Sequence, residues 1–463
     1  MAVARAEAER LAGGLPKQPY YGGRWRAVRG DAAFEVVDPA TERFLATVAE
    51  AGAAEVDEAV CAARSAVADG PWGKTDGAGR ALLLNRVADL LEARSEEFAA
   101  LESLDVGKPG LEPRVIDLPQ AVRTFRHFAG WADKVTGRSI PTPGYMGRPT
   151  VSYTVREPAG VVAAITPWNS PTMIAAWKIA PALAAGCAVV LKPPEDAPLT
   201  SLLLASLIEE AGFPPGAFGV LPGRGPVTGQ LLIDHPGVDK ISFTGSPETG
   251  HKVAVAAANG FRRTTLELGG KSPQIVFADA DLDAAADGAA VGIFANQGEV
   301  CAAGSRILVA RAVYDDMVKR LVTRAQGVRL GDPFDDGTTM GALISARHRD
   351  RVAGYIAAGL ADGAKLVAGG GQPQRPGYFV EPTLFADATN AMTIAREEIF
   401  GPVGTIIAFD SDDEAVAIAD DCDYALAATV WTSDIGCAHT VARRIRAGAV
   451  AVNTEEKTVT VVL

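Results

Sequence analysis

One thiol and one carboxylate lie in glycine-rich segments that suit catalysis. Cys301 lies in FANQGEVCAAGSR at 294–306, among small residues between a predicted helix and a predicted strand. Glu267 lies in TTLELGGKSP at 264–273, directly before two glycines, where backbone can approach a ligand closely. The pair indicates covalent catalysis, in which a thiolate attacks and a carboxylate later acts as a base. The competing interpretation is a buried structural thiol, which we favour for Cys187 inside an apolar strand.

Two further segments place polar groups after predicted strands, where parallel sheets bind ligands. In KPPE, Lys192 suits phosphate or ribose oxygens and Glu195 suits a ribose diol, although an ordinary charged loop fits equally well. In PWN at 167–169, the Asn169 amide could donate to a developing oxyanion or could merely cap the next helix. Lys178 in that helix is expected to be solvated or ion-paired unless it faces a ligand.

Two glycine-containing turns suggest nucleotide contacts. In FTGSPETG, Gly245 permits close backbone approach and Ser246 is a natural N-cap, so the helix start could bind a pyrophosphate or could simply be capped. The segment GRGPVTG at 223–229 has one residue too many for the dinucleotide fingerprint. It predicts a tight strand-to-helix turn, with Gly225 leaving room for a flat adenine.

Composition narrows the class of protein. A chain of 463 residues exceeds one ordinary core and predicts two or three domains. The net charge of −12 and the absence of a basic stripe disfavour nucleic acid and anionic membranes as partners. The N-terminus lacks a secretory signal pattern, and the longest apolar run, 179–191, is too short to span a bilayer. Five scattered cysteines and five histidines without ligand spacing predict a cytoplasmic protein with no metal.

Hydrophobic patterning predicts an α/β protein. From residue 161 onward, short apolar runs alternate with amphipathic helices, which indicates a Rossmann-like dinucleotide-binding domain followed by a second α/β catalytic domain. A Pro- and Gly-rich hairpin and a C-terminal strand, 458–463, offer free edges, so we expect a homodimer or homotetramer. We assign 1–136 and 161–266 to the dinucleotide-binding domain, 267–453 to the catalytic domain, and 137–160 and 454–463 to a small β oligomerisation arm. The predicted strands from residue 161 onward are 161–166, 187–191, 218–221, 238–243, 274–277, 306–310, 405–409, 425–432 and 449–453.

Six segments in this order resemble the aldehyde dehydrogenase superfamily: PWNSP, LKPPE, FTGS, LELGGKS, NQGEVC and EEIFGP. The resemblance extends from about Tyr21 to Asn453. It implies the aldehyde dehydrogenase fold and NAD(P)-dependent oxidation of a small aldehyde to a carboxylic acid.

The resemblance also implies roles for individual residues. Cys301 matches the nucleophile that forms a thiohemiacetal and then a thioester, and Glu267 matches the base that activates the hydrolytic water. Asn169 matches the oxyanion donor that acts beside the Cys301 N–H, and Lys178 matches a lysine in proton exchange with the base. The implied cofactor contacts are Ile165, Thr166, Pro167, Trp168, Lys192, Glu195, Gly225, Phe243, Gly245, Ser246, Leu268, Glu398 and Phe400.

Several of these contacts have a specific implied role. Lys192 and Glu195 match the residues that hold the adenosine ribose, and Gly225 matches the wall beside the adenine. Ser246 matches a pyrophosphate contact, whereas Glu398 and Phe400 match the residues that position the nicotinamide ribose and ring. Because a carboxylate at Glu195 would repel a 2′-phosphate, we expect NAD rather than NADP.

The sequence departs from the family pattern after Asn453. The family normally continues through a Pro- and Gly-rich loop and a helix before a terminal strand, but here EEKTVTV at 455–461, which resembles that strand, follows at once. Since the loop ordinarily forms part of the aldehyde tunnel, its loss should expose Cys301 and weaken substrate selection. Either this is an impaired or non-catalytic homologue, or the sequence omits a stretch of the protein. Acyl transfer to coenzyme A is disfavoured, because Glu267 is present to activate water.

Overall fold

The computed structural model describes residues 4–454 and 457–462. Contacts divide the chain into two compact units. The first comprises the chain up to Val37, Phe44–Asp105 and Pro113–Glu267, and the second comprises Asp38–Arg43, Val106–Glu112 and the chain from Leu268 onward. Two short segments from the N-terminal quarter therefore belong to the second unit, although nothing in their sequence signals it.

The regular elements follow the alternation of apolar runs and amphipathic patterns. The helices are α1 Arg5–Gly14, α2 Ala53–Ala68, α3 Gly77–Ala93, α4 Ser95–Val106, α5 Leu118–Ala129, α6 Pro171–Ala184, α7 Leu199–Glu210, α8 Gln230–Asp234, α9 Pro247–Asn259, α10 Leu282–Phe294, α11 Tyr314–Gly327, α12 Ala346–Ala361, α13 Thr393–Arg396, α14 Asp412–Asp420 and α15 Ile435–Arg444. The strands are β1 Tyr20–Tyr21, β2 Arg24–Trp25, β3 Ala33–Val37, β4 Phe44–Ala49, β5 Ser139–Ile140, β6 Ser152–Tyr153, β7 Val161–Ile165, β8 Ala188–Lys192, β9 Phe218–Val220, β10 Lys240–Thr244, β11 Arg263–Glu267, β12 Pro273–Val276, β13 Arg306–Ala310, β14 Lys365–Ala368, β15 Thr383–Ala386, β16 Val403–Phe409, β17 Ala427–Trp431, β18 Ala449–Thr454 and β19 Lys457–Val462.

The first unit contains a seven-stranded sheet in the order β11-β10-β7-β8-β9-β1-β2. The strands from β11 to β9 are parallel, and β7 and β8 are buried along their whole length, which explains their uninterrupted apolar sequence. The strand order reverses between β7 and β10, so the loops after β7, β8 and β10 meet at one carboxyl edge. In doubly wound sheets this is the position where ligands bind.

The arm predicted at 137–160 is a short hairpin. β5 pairs antiparallel with β6 through only two residues on each side, Ser139↔Tyr153 and Ile140↔Ser152. The two strands of the predicted hairpin therefore span only two residues each. The prolines at 141, 143 and 149 donate no backbone hydrogen bond, which limits how far the pairing can extend.

The second unit contains an eight-stranded sheet in the order β14-β15-β16-β13-β12-β17-β18-β19. Its strands from β15 to β18 are parallel, and buried apolar clusters form both of its faces. The edge strand β19 pairs antiparallel with β18, from Ala449↔Val462 to Thr454↔Lys457. Residues 455, 456 and 463 of the predicted 454–463 arm lie outside the described residues. Among the described residues, no helix is long and apolar enough to cross a membrane.

Candidate functional site

In the first unit, Lys192 and Glu195 form an ion pair at the end of β8. Lys192 Nζ donates to Glu195 Oε2 over 2.8 Å, and the lysine side chain is almost entirely buried. Burial alone would raise the pKa of Glu195, but Lys192 and the N–H of Gly225 together hold that pKa below its ordinary value. A charged carboxylate therefore lies at the edge where the sequence predicted a ribose contact.

Gly225 begins a π-helical turn, Gly225–Gly229, that leads into α8. Its N–H donates to Glu195 Oε1 over 3.3 Å, and Arg224 donates to the buried carboxylate of Glu50 from both backbone and side chain. The sequence predicted a tight strand-to-helix turn here and gave no sign of Glu50. That carboxylate is 174 residues from Arg224, and only the fold brings the two together.

The turn after β10 combines a helix cap with a close packing contact. Ser246 is the N-cap of α9, and its Oγ accepts the Thr249 N–H over 3.3 Å. A Cβ on Gly245 would lie 2.6 Å from the ring of Phe243, so this glycine is required by the protein's own packing. The N-cap prediction is confirmed, while a pyrophosphate contact at Ser246 stays a prediction.

Asn169, Lys178 and Glu267 all belong to the first unit. Asn169 is buried in the loop after β7, and the N-cap of α6 is Ser170, so the capping interpretation of Asn169 is wrong. Lys178 is also buried, and its Nζ donates to Ser242 Oγ over 3.3 Å. Burial lowers the pKa of Lys178 to about 8, against the opposing effect of the Glu267 carboxylate. The solvated interpretation of Lys178 is therefore wrong as well.

Glu267 is the last residue of β11 and is exposed. Its backbone carbonyl accepts the Gly245 N–H over 3.1 Å. The remaining predicted contacts in this unit follow β7. Thr166 N donates to the Lys192 carbonyl over 3.2 Å, which joins the loops after β7 and β8. Ile165 and Thr166 are buried, whereas Pro167 and Trp168 are partly exposed.

In the second unit, the Gly269–Gly270 turn touches two predicted site residues at once. The Gly270 N–H donates to Glu398 Oε1 over 3.1 Å. A Cβ on Gly269 would overlap the Glu398 carboxylate, and a Cβ on Gly270 would overlap the Cys301 carbonyl. Both glycines are therefore required by neighbouring protein groups, not by a ligand. The turn brings Cys301 and Glu398 together, although they are almost 100 residues apart in the sequence.

Cys301 follows a strained turn. Asn296, Gln297 and Gly298 all adopt left-handed backbone, with φ of 46°, 56° and 73°, a conformation that residues with side chains rarely adopt. We call residues 296–301 the thiol turn. Both oxygens of Glu112 accept the Asn296 N–H, over 3.0 and 2.9 Å. Cys301 itself is partly exposed, in contrast to the buried Cys187.

Two more contacts fix the thiol turn. Gln297 Oε1 accepts the Gly341 N–H over 3.3 Å, and the completely buried Glu299 accepts the Ile344 N–H over 3.1 Å. The sequence suggested none of these partners. Gln297 and Glu299, polar residues on either side of Gly298 and directly after an apolar helix, could have signalled buried hydrogen bonds, but their partners come from elsewhere in the chain.

Glu398 and Phe400 lie in the loop before β16. Burial raises the pKa of Glu398, against the lowering effects of the Gly270 N–H and of Arg351 and Lys271. Phe400 has a left-handed φ of 59°, and its carbonyl lies 2.6 Å from His348 Nε2. Leu268, another predicted contact, is half-buried at the start of this unit. Within the described residues, no cluster of three or more His, Cys, Asp or Glu side chains could hold a metal.

Comparison with known proteins identifies the family. The profile of the aldehyde dehydrogenase family matches residues 25–462. The chain is 45% identical to the putative aldehyde dehydrogenase DhaS of Bacillus subtilis over 437 residues. The aligned region covers 94% of this chain and 88% of that protein. It is 46% identical over 431 residues to human retinal dehydrogenase 2, covering 93% and 82% of the two chains.

A solved structure shows the same fold. Indole-3-acetaldehyde dehydrogenase AldA of P. syringae, a mutant solved in complex with NAD+ and IAA, superposes with a TM-score of 0.94 at 43% identity, covering 98% of this chain and 92% of that one. The predicted α/β fold, with two largely parallel sheets, is confirmed. The chain belongs to the aldehyde dehydrogenase family.

Proposed function

We propose that this protein oxidises a small aldehyde to a carboxylic acid, with NAD as the hydride acceptor. The observation that carries the proposal is the partly exposed Cys301 thiol, whose backbone packs on the same glycine turn that holds the Glu398 carboxylate. The named activities of the relatives and the NAD+ bound to AldA of P. syringae support it.

The first half of the reaction uses Cys301 as nucleophile. Its thiolate adds to the aldehyde carbon, and the amide of Asn169 and the N–H of Cys301 donate to the resulting oxyanion. Collapse of this thiohemiacetal expels a hydride from carbon and leaves a thioester on Cys301. NAD, when bound, supplies the acceptor for that hydride.

The second half uses Glu267 as general base. Its carboxylate removes a proton from a water molecule, which attacks the thioester carbon and releases the acid and the Cys301 thiolate. Lys178 lies in the same unit as Glu267 and interacts with it electrostatically. With a pKa of about 8, Lys178 can accept the proton that Glu267 has collected.

The residues present fit a nicotinamide dinucleotide. The buried Lys192 and the charged Glu195 lie at the carboxyl edge of the first sheet and suit the hydroxyls of a ribose. Gly225 has no side chain above Glu195, which leaves space for an adenine, and the N-terminus of α9 at Ser246 offers a positive dipole to a pyrophosphate. Glu398 and Phe400 are assigned to the nicotinamide ribose and ring. The Glu195 carboxylate repels a 2′-phosphate, so NAD is preferred to NADP.

Assembly and location complete the proposal. The exposed apolar side chains of the 137–160 hairpin, including Val151 and Tyr153, and the edge strand β19 favour a homodimer or homotetramer. The cytoplasmic location expected from scattered free cysteines remains part of the proposal. Light scattering and cell fractionation measure these two properties.

A second candidate is an impaired or non-catalytic homologue. The observation that favours it is the direct pairing of β19 with β18, without the loop and helix that the family pattern places after Asn453. Such a protein would bind NAD or act as a scaffold without turnover.

The deciding experiment follows NADH absorbance with a panel of aldehydes, on protein whose intact mass matches this sequence. The proposal predicts NADH formation with NAD, slower formation with NADP, and a free acid as product even when coenzyme A is added. NAD binding without turnover for any aldehyde would instead establish the second candidate, and an acyl-coenzyme A product would replace hydrolysis by acyl transfer.

A further inference from the structure

Helix α12 contacts both functional segments of the second unit through its first two turns. His348 Nε2 donates to the Phe400 carbonyl over 2.6 Å, and Arg351 Nη2 donates to the Glu398 carbonyl over 2.8 Å. Two side chains one turn apart thus hold two alternate carbonyls of the 398–400 loop. Helix α12 therefore contributes two hydrogen bonds that hold the backbone of that loop.

The same imidazole also faces the thiol turn. His348 Nε2 lies 3.6 Å from Glu299 Oε1, the oxygen that accepts the Ile344 N–H directly before α12. His348 is nine-tenths buried and Glu299 is completely buried, so this contact is shielded from water. One histidine therefore lies between Glu299 and Phe400.

His348 is neutral in this position. Burial lowers the pKa of His348 to about 4, with smaller lowering effects from Arg351 and Arg347 and an opposing effect from the Phe400 carbonyl. Because a carbonyl oxygen only accepts hydrogen bonds, Nε2 carries the ring hydrogen. The neutral tautomer satisfies the Phe400 carbonyl without adding a charge beside the cofactor residues.

The two segments also pack directly on each other. Gly298 of the thiol turn lies so close to the Gly401 carbonyl that a Cβ there would overlap it. Phe400 keeps a left-handed φ of 59°, a strained conformation for a residue with a side chain that persists only when neighbours enforce it. The His348 hydrogen bond to the same residue is one such constraint.

We propose that His348 is a positioning residue that couples the 398–400 loop to the thiol turn. The inference rests on the proposed function, in which Glu398 and Phe400 hold the nicotinamide ribose and ring. Without the Nε2 donor, the Phe400 carbonyl loses this hydrogen bond, Phe400 relaxes from its left-handed conformation, and the contacts with Glu299 and Gly401 loosen. NAD affinity and Cys301 reactivity then change together.

The test compares His348→Leu, which removes the donor, with His348→Gln, which retains an N–H at a similar reach. His439→Ala is the matched control, because His439 is exposed on α15 in the same unit. Three quantities are measured: the Kd of NADH by fluorescence, the rate of Cys301 alkylation by iodoacetamide with and without NAD, and the KM for NAD against kcat. Neither of the first two requires turnover.

For His348→Leu we expect about a tenfold weaker Kd for NADH, a higher KM for NAD, and loss of the effect of NAD on the alkylation rate. His348→Gln should recover most of the NADH affinity and most of the effect of NAD on the alkylation rate. His439→Ala should match the unmodified protein in all three quantities. A wild-type Kd and alkylation response in His348→Leu, or a His348→Gln variant as defective as His348→Leu, would overturn the coupling.

A second variant keeps the inference testable if the leucine variant does not fold. In Glu299→Gln the amide oxygen still accepts the Ile344 N–H, so the thiol turn should keep its alkylation response, while Glu299→Leu should lose it. An equal alkylation response in these two variants would contradict the proposed coupling through Glu299. If the unmodified protein neither binds NADH nor turns over aldehyde, the proposed function fails; if it does both and His348→Leu is unchanged, only the coupling fails.

Discussion

Two parts of the candidate site reach their conformations in different ways. Lys192 and Glu195 are three residues apart and pair at the end of one strand, so local sequence determines the contact. The thiol turn is instead held by Glu112, Gly341 and Ile344, which are 184, 44 and 45 residues from their partners. We call the end of β8 that carries Lys192 and Glu195 the ribose edge. The difference indicates that a substitution at the ribose edge changes only cofactor binding. The thiol turn instead depends on distant residues that have no chemical role of their own.

This comparison assigns separate kinetic signatures to the two regions. A group that only binds the cofactor changes KM with little effect on kcat. A group that aims the nucleophile changes kcat, because a displacement of about 1 Å costs about 100-fold in rate.

The largest effect is expected at the nucleophile. Cys301→Ala should lower turnover by about 1,000-fold or more, because no other group can form the thioester. Calorimetry should give an unchanged melting temperature, since the thiol is partly exposed. Cys437→Ala, at a second partly exposed thiol in the same unit, is the control and should retain full activity. Normal turnover in Cys301→Ala would show that the thiol turn has no role in catalysis.

Glu112 should give the next largest effect, although it touches no reacting group. Glu112→Ala removes both acceptors of the Asn296 N–H, and kcat should fall by about 100-fold with little change in the KM for NAD. Glu112→Gln keeps one acceptor, and its kcat should lie between those of Glu112→Ala and the unmodified protein. The exposed Glu92, which pairs with Arg126 on the surface, provides the control variant Glu92→Gln. An effect of Glu112→Ala confined to KM would break the proposed division.

The ribose edge should show the opposite pattern. Glu195→Gln removes the charge that pairs with Lys192, so the KM for NAD should rise by about tenfold while kcat stays within about twofold. The ratio of kcat/KM for NADP to that for NAD should also rise, because the repulsion of a 2′-phosphate is removed. A fall in kcat at saturating NAD would place Glu195 among the groups that aim the nucleophile.

The smallest predicted effect is a pH dependence set by Lys178. Burial lowers its pKa to about 8, so Lys178 is mainly protonated at pH 7 and mainly neutral at pH 9. Only the neutral amine can accept a proton from Glu267, and its fraction rises about tenfold over this interval, so thioester hydrolysis should rise by up to that factor. Lys178→Met should flatten the profile, whereas Lys134→Met, at an exposed lysine of the same unit that pairs with Asp133, should not. A Lys178→Met profile identical to that of the unmodified protein would exclude this proton exchange.

The sequence predicted the regular part of the fold because burial on both faces leaves a clear pattern. Each of the nine strands expected between residues 161 and 453 is present, with ends shifted by no more than two residues. The hydrophobic pattern did not predict the helices and strands before residue 137. It also did not predict β11, β14 or β15 as strands. β11 is largely exposed and carries polar residues, so its sequence lacks the apolar run of a central strand.

The candidate site was predictable where chemistry depends on residue type and not where it depends on distant neighbours. Cys301 and the Lys192–Glu195 pair stand out because of their local context. The left-handed backbone of Asn296 and Gln297, and the Glu50–Arg224 contact, follow from packing between remote segments. Likewise, Gly269 and Gly270 pointed to a close approach, but the groups that approach are Glu398 and the Cys301 carbonyl.

The central claim is that a thioester forms on Cys301 and that Glu267 activates the water that hydrolyses it. The most direct measurement is peptide mapping by mass spectrometry of Glu267→Gln protein, quenched in acid after mixing with an aldehyde and NAD. We predict a stoichiometric acyl group on the peptide that contains Cys301, formed together with one equivalent of NADH. NADH release without any acyl group on Cys301, or an acyl group on another residue, would contradict the account.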